Sequence, residues 1–349
     1  MKRWKGLLVG ALVATLSYAL LPTSTVLTEK EMQKIEQLTT QMQTHCVGRY
    51  LIDLPQGFVL SSDTEAGFFI GLDADHDLLR IVNIQQGLGD QQFQGYVTKK
   101  IAKWDELNKY AQPDQHKTNL ARVVPYGAET LAQTWSTYSG ETVDLSYLGF
   151  RDGIAYTLTR TANSTPERIA EGTTRLLDLS RRISRVSDPL KAGKGTCIDE
   201  LLIAGQYDEE KLDIYFWHPK YPDLEVKINF AAIQEDEEDD IFARARKASS
   251  YLNVIDPKLH DRRYDFFGMK ANENGFKSPS EIDNGKTNYA YQMETRRANG
   301  SVRMPHIHVV MKFAEYKNGK KTGSDFSQAE ALALWEAIIK TLRPRPGAV

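Results

Sequence analysis

Cys46-Val47-Gly48-Arg49-Tyr50-Leu51-Ile52-Asp53-Leu54-Pro55 is a cysteine followed at once by an apolar, strand-like run. The chain repeats the pattern at Cys197-Ile198-Asp199-Glu200-Leu201-Leu202-Ile203-Ala204-Gly205. Each stretch opens a long segment with the same succession of elements, so the protein reads as one module used twice. The expected fold class is α+β: two similar modules, each a mainly antiparallel sheet with two helices packed on one face. The N-terminal domain is expected over residues 46–188 and the C-terminal domain over residues 196–349. Between them, Pro189, Gly193 and Gly195 break both helical and strand periodicity, and residues 189–195 read as the linker.

In the first module the expected strands are Arg49 to Leu54, Gly67 to Leu72 and Leu78 to Gln85, the last with Leu79, Ile81 and Asn83 on one face. A helix follows from Asp90, with Phe93, Val97, Ile101 and Trp104 as its apolar stripe. Leu131 to Tyr138, Val143 to Phe150 and Ile154 to Arg160 are further strands, and Asp152-Gly153 marks a hairpin. Ser164-Thr165-Pro166-Glu167 has the chemistry of a helix start, and Ile169, Leu176, Leu179 and Ile183 form the buried stripe after it. The second module repeats the order. Its strands are Leu201 to Ala204, Asp213 to Trp217, Leu224 to Phe230, Tyr264 to Met269, Tyr289 to Arg296 and His306 to Phe313. One helix carries Ile241, Ala245, Ala248, Leu252 and Ile255, and the last begins at Ser327 and buries Leu332, Trp335, Ile339 and Leu342.

The 349 residues are 41% hydrophobic and 26% charged, which suits two globular domains with real cores. Formal net charge is −2, from 44 basic and 46 acidic side chains, so a duplex nucleic-acid binder is disfavoured. At the N-terminus Lys2, Arg3 and Lys5 precede an apolar run from Gly6 to Leu21, and Ser17-Tyr18-Ala19 suits signal cleavage. Residues 1–27 therefore read as a signal peptide or as an uncleaved inner-membrane anchor. Either places the body outside the cytoplasm, in the periplasm. Residues 28–45 read as a spacer segment, either a short helix leading to the first domain, with Met32, Ile35, Leu38 and Met42 at helical spacing, or a plain connector. In an exported protein Cys46 and Cys197 either pair or stay as two buried thiols, and sequence leaves both readings open.

No catalytic motif appears. The chain lacks G-x-S-x-G, H-E-x-x-H, C-x-x-C, G-x-x-x-x-G-K-[ST] and G-x-G-x-x-G, and no cofactor or metal site is expected. Gly87-Leu88-Gly89 reads as a turn before a helix. His306 and His308 share one side of a strand, which suits a metal only if a third ligand lies nearby. They are the basis of the alternative reading, an envelope enzyme with an unrecognised hydrolytic or metal site. Glu235-Asp236-Glu237-Glu238-Asp239-Asp240 is an unbroken acidic run. It suits a charged first helical turn, a contact patch for a basic partner, or a calcium site without the usual loop spacing. Trp217, Tyr289 and Tyr291 suit either interface anchoring or strand packing, and Lys317, Lys320, Lys321, Arg296 and Arg297 sit near loops.

The opening Cys46, Gly48, Arg49, Tyr50, Asp53 and Pro55 resembles the N-terminal domain of a type VI secretion immunity family. The stretch from Gly195-Thr196-Cys197-Ile198 through Leu224-Glu225-Val226 resembles that family's C-terminal domain. Its members are periplasmic proteins that neutralise the fourth class of type VI lipase effectors. The resemblance implies a two-domain clamp whose partner is a cognate phospholipase, with no catalysis of its own. It carries over no contact residues. The acidic run is the expected partner-facing feature.

Overall fold

The run after Cys46 folds back on itself at once. In the computed structural model, which describes residues 26–70, 77–108, 120–135, 141–205, 207, 209–232, 259–283, 285–295 and 300–349, β1 (Met42–Gly48) and β2 (Tyr50–Pro55) form a tight hairpin. Gly48 makes the turn, at a φ of +67° that a side chain resists. Helix α1 (Glu29–Thr40) precedes this hairpin. After it come β3 (Val59–Leu60), β4 (Glu65–Ile70), β5 (Asp77–Gln85), helix α2 (Asp90–Asn108), β6 (Leu120–Tyr126), β7 (Glu129–Trp135), β8 (Thr142–Arg151), β9 (Ile154–Asn163), helix α3 (Pro166–Arg181) and β10 (Ile183–Arg185).

A single 3-10 turn at Pro189–Lys191 leads to the second hairpin, β11 (Gly195–Ile198) and β12 (Leu201–Ala204), which turns at Asp199. Then follow β13 (Glu209–His218), β14 (Tyr221–Ala231), β15 (His260–Phe266), β16 (Met269–Pro279), β17 (Thr287–Thr295) and β18 (His306–Phe313). A small hairpin, β19 (Tyr316–Lys317) with β20 (Lys320–Lys321), precedes helix α4 (Gln328–Ile339) and β21 (Arg343–Pro344).

The long strands build one antiparallel sheet in the order β15-β16-β17-β18-β14-β13-β4-β5-β9-β8-β7-β6, with β3 added on β13. Its middle is the β4–β13 pair, in register from Glu65↔Asp213 to Phe69↔Glu209. Read outward from that pair, the strands run β4-β5-β9-β8-β7-β6 on one side and β13-β14-β18-β17-β16-β15 on the other. The short strands form a second sheet, β10-β12-β11-β1-β2-β21. Here β1 pairs with β11, and each hairpin is closed by the last strand of the other half: β21 on β2, β10 on β12.

The expectation that each module builds its own sheet thus gives way to two shared sheets. The physical reason lies in the hairpins. Every residue of β11 and all but one of β2 are buried, and an isolated two-stranded ribbon cannot cover apolar side chains on both faces. One face of the small sheet sends Val47, Tyr50, Ile52 and Leu54 into the main core, where Tyr50 stacks on Phe230 at 5.4 Å. The other face carries a separate cluster of Cys46, Leu51, Val186, Cys197 and Leu202.

The helices also depart from the expected single face. Leu176 and Leu179 of α3 join the main core with Leu145, Tyr147 and Leu158. Phe93 and Val97 of α2 instead pack on Leu148 and Ala155, whose side chains leave β8 and β9 on the opposite face. The N-terminal half of the sheet is therefore covered on both sides. The stretch 28–45 holds the expected short helix, α1, and then enters β1. Ile35 and Leu38 are buried, and Lys34 reaches Glu330 at 3.2 Å and sits 3.8 Å above the Phe326 ring. Asn83 leaves the expected alternation because the β5–β9 register shifts between Val82 and Gln85, with Asn83 at a φ of +53°. The expected strand from Tyr264 to Met269 is a hairpin, turned at Phe267-Gly268. The helix expected around Ile241 to Ile255 lies outside the described residues. So does most of the N-terminal segment 1–27. Among the described residues no helix is long and apolar enough to cross a membrane.

Candidate binding surface

The two halves meet where β1 lies against β11, and the chemistry of the repeated cysteine motif converges there. Cys46 and Cys197 form a disulfide with their Cα atoms 5.7 Å apart. Both cysteines are fully buried. Arg49, just past the β1 turn, is buried and grips Glu210 of β13 through Nη2 at 2.5 Å and Nε at 3.2 Å. Thr196 donates its hydroxyl to the same carboxylate at 2.5 Å. Arg49 Nη1 donates to the carbonyl of Ala348, and Arg345 donates to the carbonyls of Gly193 and Gly195. Burial, and then the Arg49 cation beside it, push the Arg345 guanidinium down to about 10.

A second buried pair sits nearby. His45 Nδ1 lies 2.8 Å from Asp199 Oδ1, and Gln86 donates to Asp199 Oδ2 at 2.9 Å. A small recess opens beside Arg49 and Glu210, walled by Tyr50, Leu212, Phe230 and Pro305. Burial raises the Tyr50 phenol to about 12, so it stays a neutral donor at any physiological pH. The junction gathers Arg49 and His45, each against a carboxylate, and Arg345, held by backbone carbonyls, around a covalent tie. Such a set holds two half-sheets in one orientation, since removing either partner of a buried pair strands the other.

The singled-out residues fall elsewhere. Glu235, Asp236, Glu237, Glu238, Asp239 and Asp240 lie outside the described residues, as do Arg296 and Arg297. His306 Nε2 bonds to Glu294 Oε1 at 2.6 Å, and His308 Nε2 to Gln292 Oε1 at 3.0 Å, both on the neighbouring strand β17. Among the described residues no group of three His, Cys, Asp or Glu side chains could hold a metal ion. Gly87 to Gly89 forms a turn, with Leu88 donating to the Gly153 carbonyl at 2.9 Å just before α2. Tyr291 is core, stacked on Trp335 at 6.2 Å. Trp217 is 44% exposed, beside Val59 of β3, which is 39% exposed. Lys317 and Lys320 are exposed on the β19–β20 hairpin, and Lys317 pairs with Glu315 at 3.2 Å.

This architecture can be set against known proteins. Residues 190–347 match the family model described as the Tle cognate immunity protein 4 C-terminal domain. Over that stretch the chain is similar to the C-terminal domain of this immunity family. Among solved structures it is similar to the apo immunity protein TplEi of the type VI secretion system from Pseudomonas aeruginosa, with a TM-score of 0.59 and 19% identity over 88% of this chain and 98% of that one. The same protein complexed with an "L" peptide matches at a TM-score of 0.57, with 18% identity over 88% and 99% of the two chains. The crystal structure of a Tle4–Tli4 complex matches at a TM-score of 0.59, with 21% identity over 89% of this chain and 99% of that one. At these identities the likeness is one of fold. No curated protein matches the chain in sequence.

Sequence reasoning missed the Arg49–Glu210 bond, because the two residues are far apart in the chain and Glu210 has no motif around it. The signal that was present is Arg49 itself, a lone cation inside an apolar run, which a buried strand tolerates only with a carboxylate partner.

Proposed function

We propose that this chain is an immunity protein that binds a type VI secretion phospholipase effector and blocks it, protecting the producing bacterium. The observation that carries the reading is the match of residues 190–347 to the immunity-family model. The fold shared over nearly the whole chain with immunity proteins, one of them solved with Tle4, supports it. The role requires no catalytic constellation. It requires a rigid surface of roughly 800 Å² per partner with a few desolvated anchors. The shared sheets and the Cys46–Cys197 bond supply the rigidity.

The reading extends to the periplasm, where a disulfide persists and where residues 1–27 would deliver the chain. It treats residues 46–188 and 196–349 as its two immunity domains, joined through 189–195. It also places the acidic run Glu235 to Asp240 at the partner, where it steers association. The test is inhibition of the phospholipase encoded beside this chain by residues 28–349, titrated to stoichiometry. Full loss of activity near one inhibitor per lipase is expected. Persistent activity, with no complex on gel filtration, would overturn the reading. Reversing charges within Glu235 to Asp240 is expected to slow association by about tenfold at low salt and to flatten its salt dependence. Unchanged rates would remove the run from the interface.

A further inference from the structure

Among the described residues, five other than glycine hold a positive φ: Asn83, Asp152, Asp199, Phe267 and Asn318. Four are Asn or Asp, whose short polar side chains tolerate the left-handed region. Phe267 is the exception. Its turn, Phe267-Gly268 with φ of +48° and +85°, follows the same path as Asp152-Gly153 (+47°, +87°) and Asn318-Gly319 (+52°, +76°). These are the angles of a hairpin turn with two left-handed residues, whose first place suits Asn or Asp and penalises a bulky ring.

The Phe267 ring also stands in water. It is 61% exposed, more than any other aromatic side chain described, and its ring contact is edge-on to Phe266 at 4.9 Å. Phe267 therefore burdens the free chain twice, in backbone conformation and in exposed apolar area, and joins no core cluster. Its support is firm. The β15–β16 ladder is continuous from His260↔Gly275 to Phe266↔Met269, and Phe266 is 6% exposed and stacked on Tyr50 at 6.3 Å.

We propose that Phe267 is a preformed anchor, a phenyl ring held out on a rigid hairpin for insertion into an apolar pocket of a protein partner. Burial in such a pocket returns the hydrophobic contribution that the free chain forgoes. A ring with two rotatable bonds on a fixed turn loses little freedom when it docks. The surroundings favour a protein over a lipid surface. Asp265 and Lys270 flank the tip as an ion pair at 2.8 Å, so the tip is locally neutral. A membrane-seeking tip carries several apolar side chains beside a basic excess. The partner's identity as the phospholipase effector rests on the function proposed above.

The test uses the full chain with Phe267→Asn and Phe267→Ala, measured against the phospholipase encoded beside it. Phe267→Asn puts the preferred residue into the turn, so it is expected to melt at or above the wild-type temperature. Its affinity for the lipase is expected to fall at least tenfold, and Phe267→Ala to follow it. Unchanged affinity in both variants would overturn the proposal. So would a marked fall in the melting temperature of Phe267→Asn, since the ring would then be structural. Sedimentation with phosphatidylglycerol vesicles that is lost in Phe267→Asn would transfer the anchor to lipid and overturn the protein assignment. Wild-type protein that fails to bind the lipase would instead strike the immunity reading itself, and this partner for Phe267 with it.

Discussion

Glu273 illustrates how much rests on single buried groups. It is 1% exposed, inside the sheet, and accepts from Trp335 Nε1 at 3.1 Å, with His260 Nε2 2.9 Å away. Burial works against the carboxylate, but hydrogen bonds from His260, Tyr264 and Trp335 outweigh it and hold the carboxyl below its ordinary 4.5. A carboxyl depressed by folding stabilises the native state above its unfolded value, and that contribution is lost as pH falls through the folded value. Its contribution to stability is therefore expected to be lost progressively as pH falls below 4.5. Glu273→Gln is expected to cost about 1–3 kcal/mol at neutral pH and to make the acid limb shallower. Urea titrations from neutral pH down to about 3 read both effects, and parallel acid limbs for the two proteins would discount Glu273 as their source.

At the scale of elements, the N-termini of α1 and α4 stabilise each other. Each helix carries a capping box, Thr28 with Glu31 and Ser327 with Glu330. A hydrogen bond from Ser327, followed by those from Thr28, holds the Glu31 carboxyl below its ordinary range. Lys34 of α1 reaches Glu330 of the other box at 3.2 Å. The short helix that the apolar spacing of this segment suggests thus docks on the body, because its partner is the last helix of the chain. Ser327→Ala is expected to lose about 1–2 kcal/mol, the upper range for a cap, since the hydroxyl serves both helices. Thr165→Ala, at the solitary cap of α3, serves as the comparison and is expected to lose about 1 kcal/mol. Equal losses at the two sites, measured by urea unfolding, would deny the coupling.

For the whole molecule, the exchanged strands matter more than the linker. The small sheet takes β10 from the first half to close the second hairpin and β21 from the second half to close the first. The large sheet crosses the boundary at β4–β13 without interruption. Neither half keeps its buried backbone groups paired without the other. The chain is expected to unfold in one calorimetric transition, with calorimetric and van't Hoff enthalpies equal. Two resolved transitions would mean that the halves are separable after all.

Much of this was legible in the chain itself. The strand expected from Leu224 to Phe230 is β14, the Asp152-Gly153 pair marked its turn, and the helix start at Thr165 with Pro166 marked α3. These features are local: side-chain period and backbone preference are set within a few residues. The repeated cysteine motif likewise pointed to two matched strand-like openings and to a resemblance to the immunity family. Partnership across distance was not legible. Which strand closes each hairpin, the pairing of Arg49 with Glu210, the face taken by α2 and the exposure of Phe267 depend on contacts between segments far apart in sequence. Periodicity says that a residue needs burial or a partner, and only the tertiary structure decides which surface provides it.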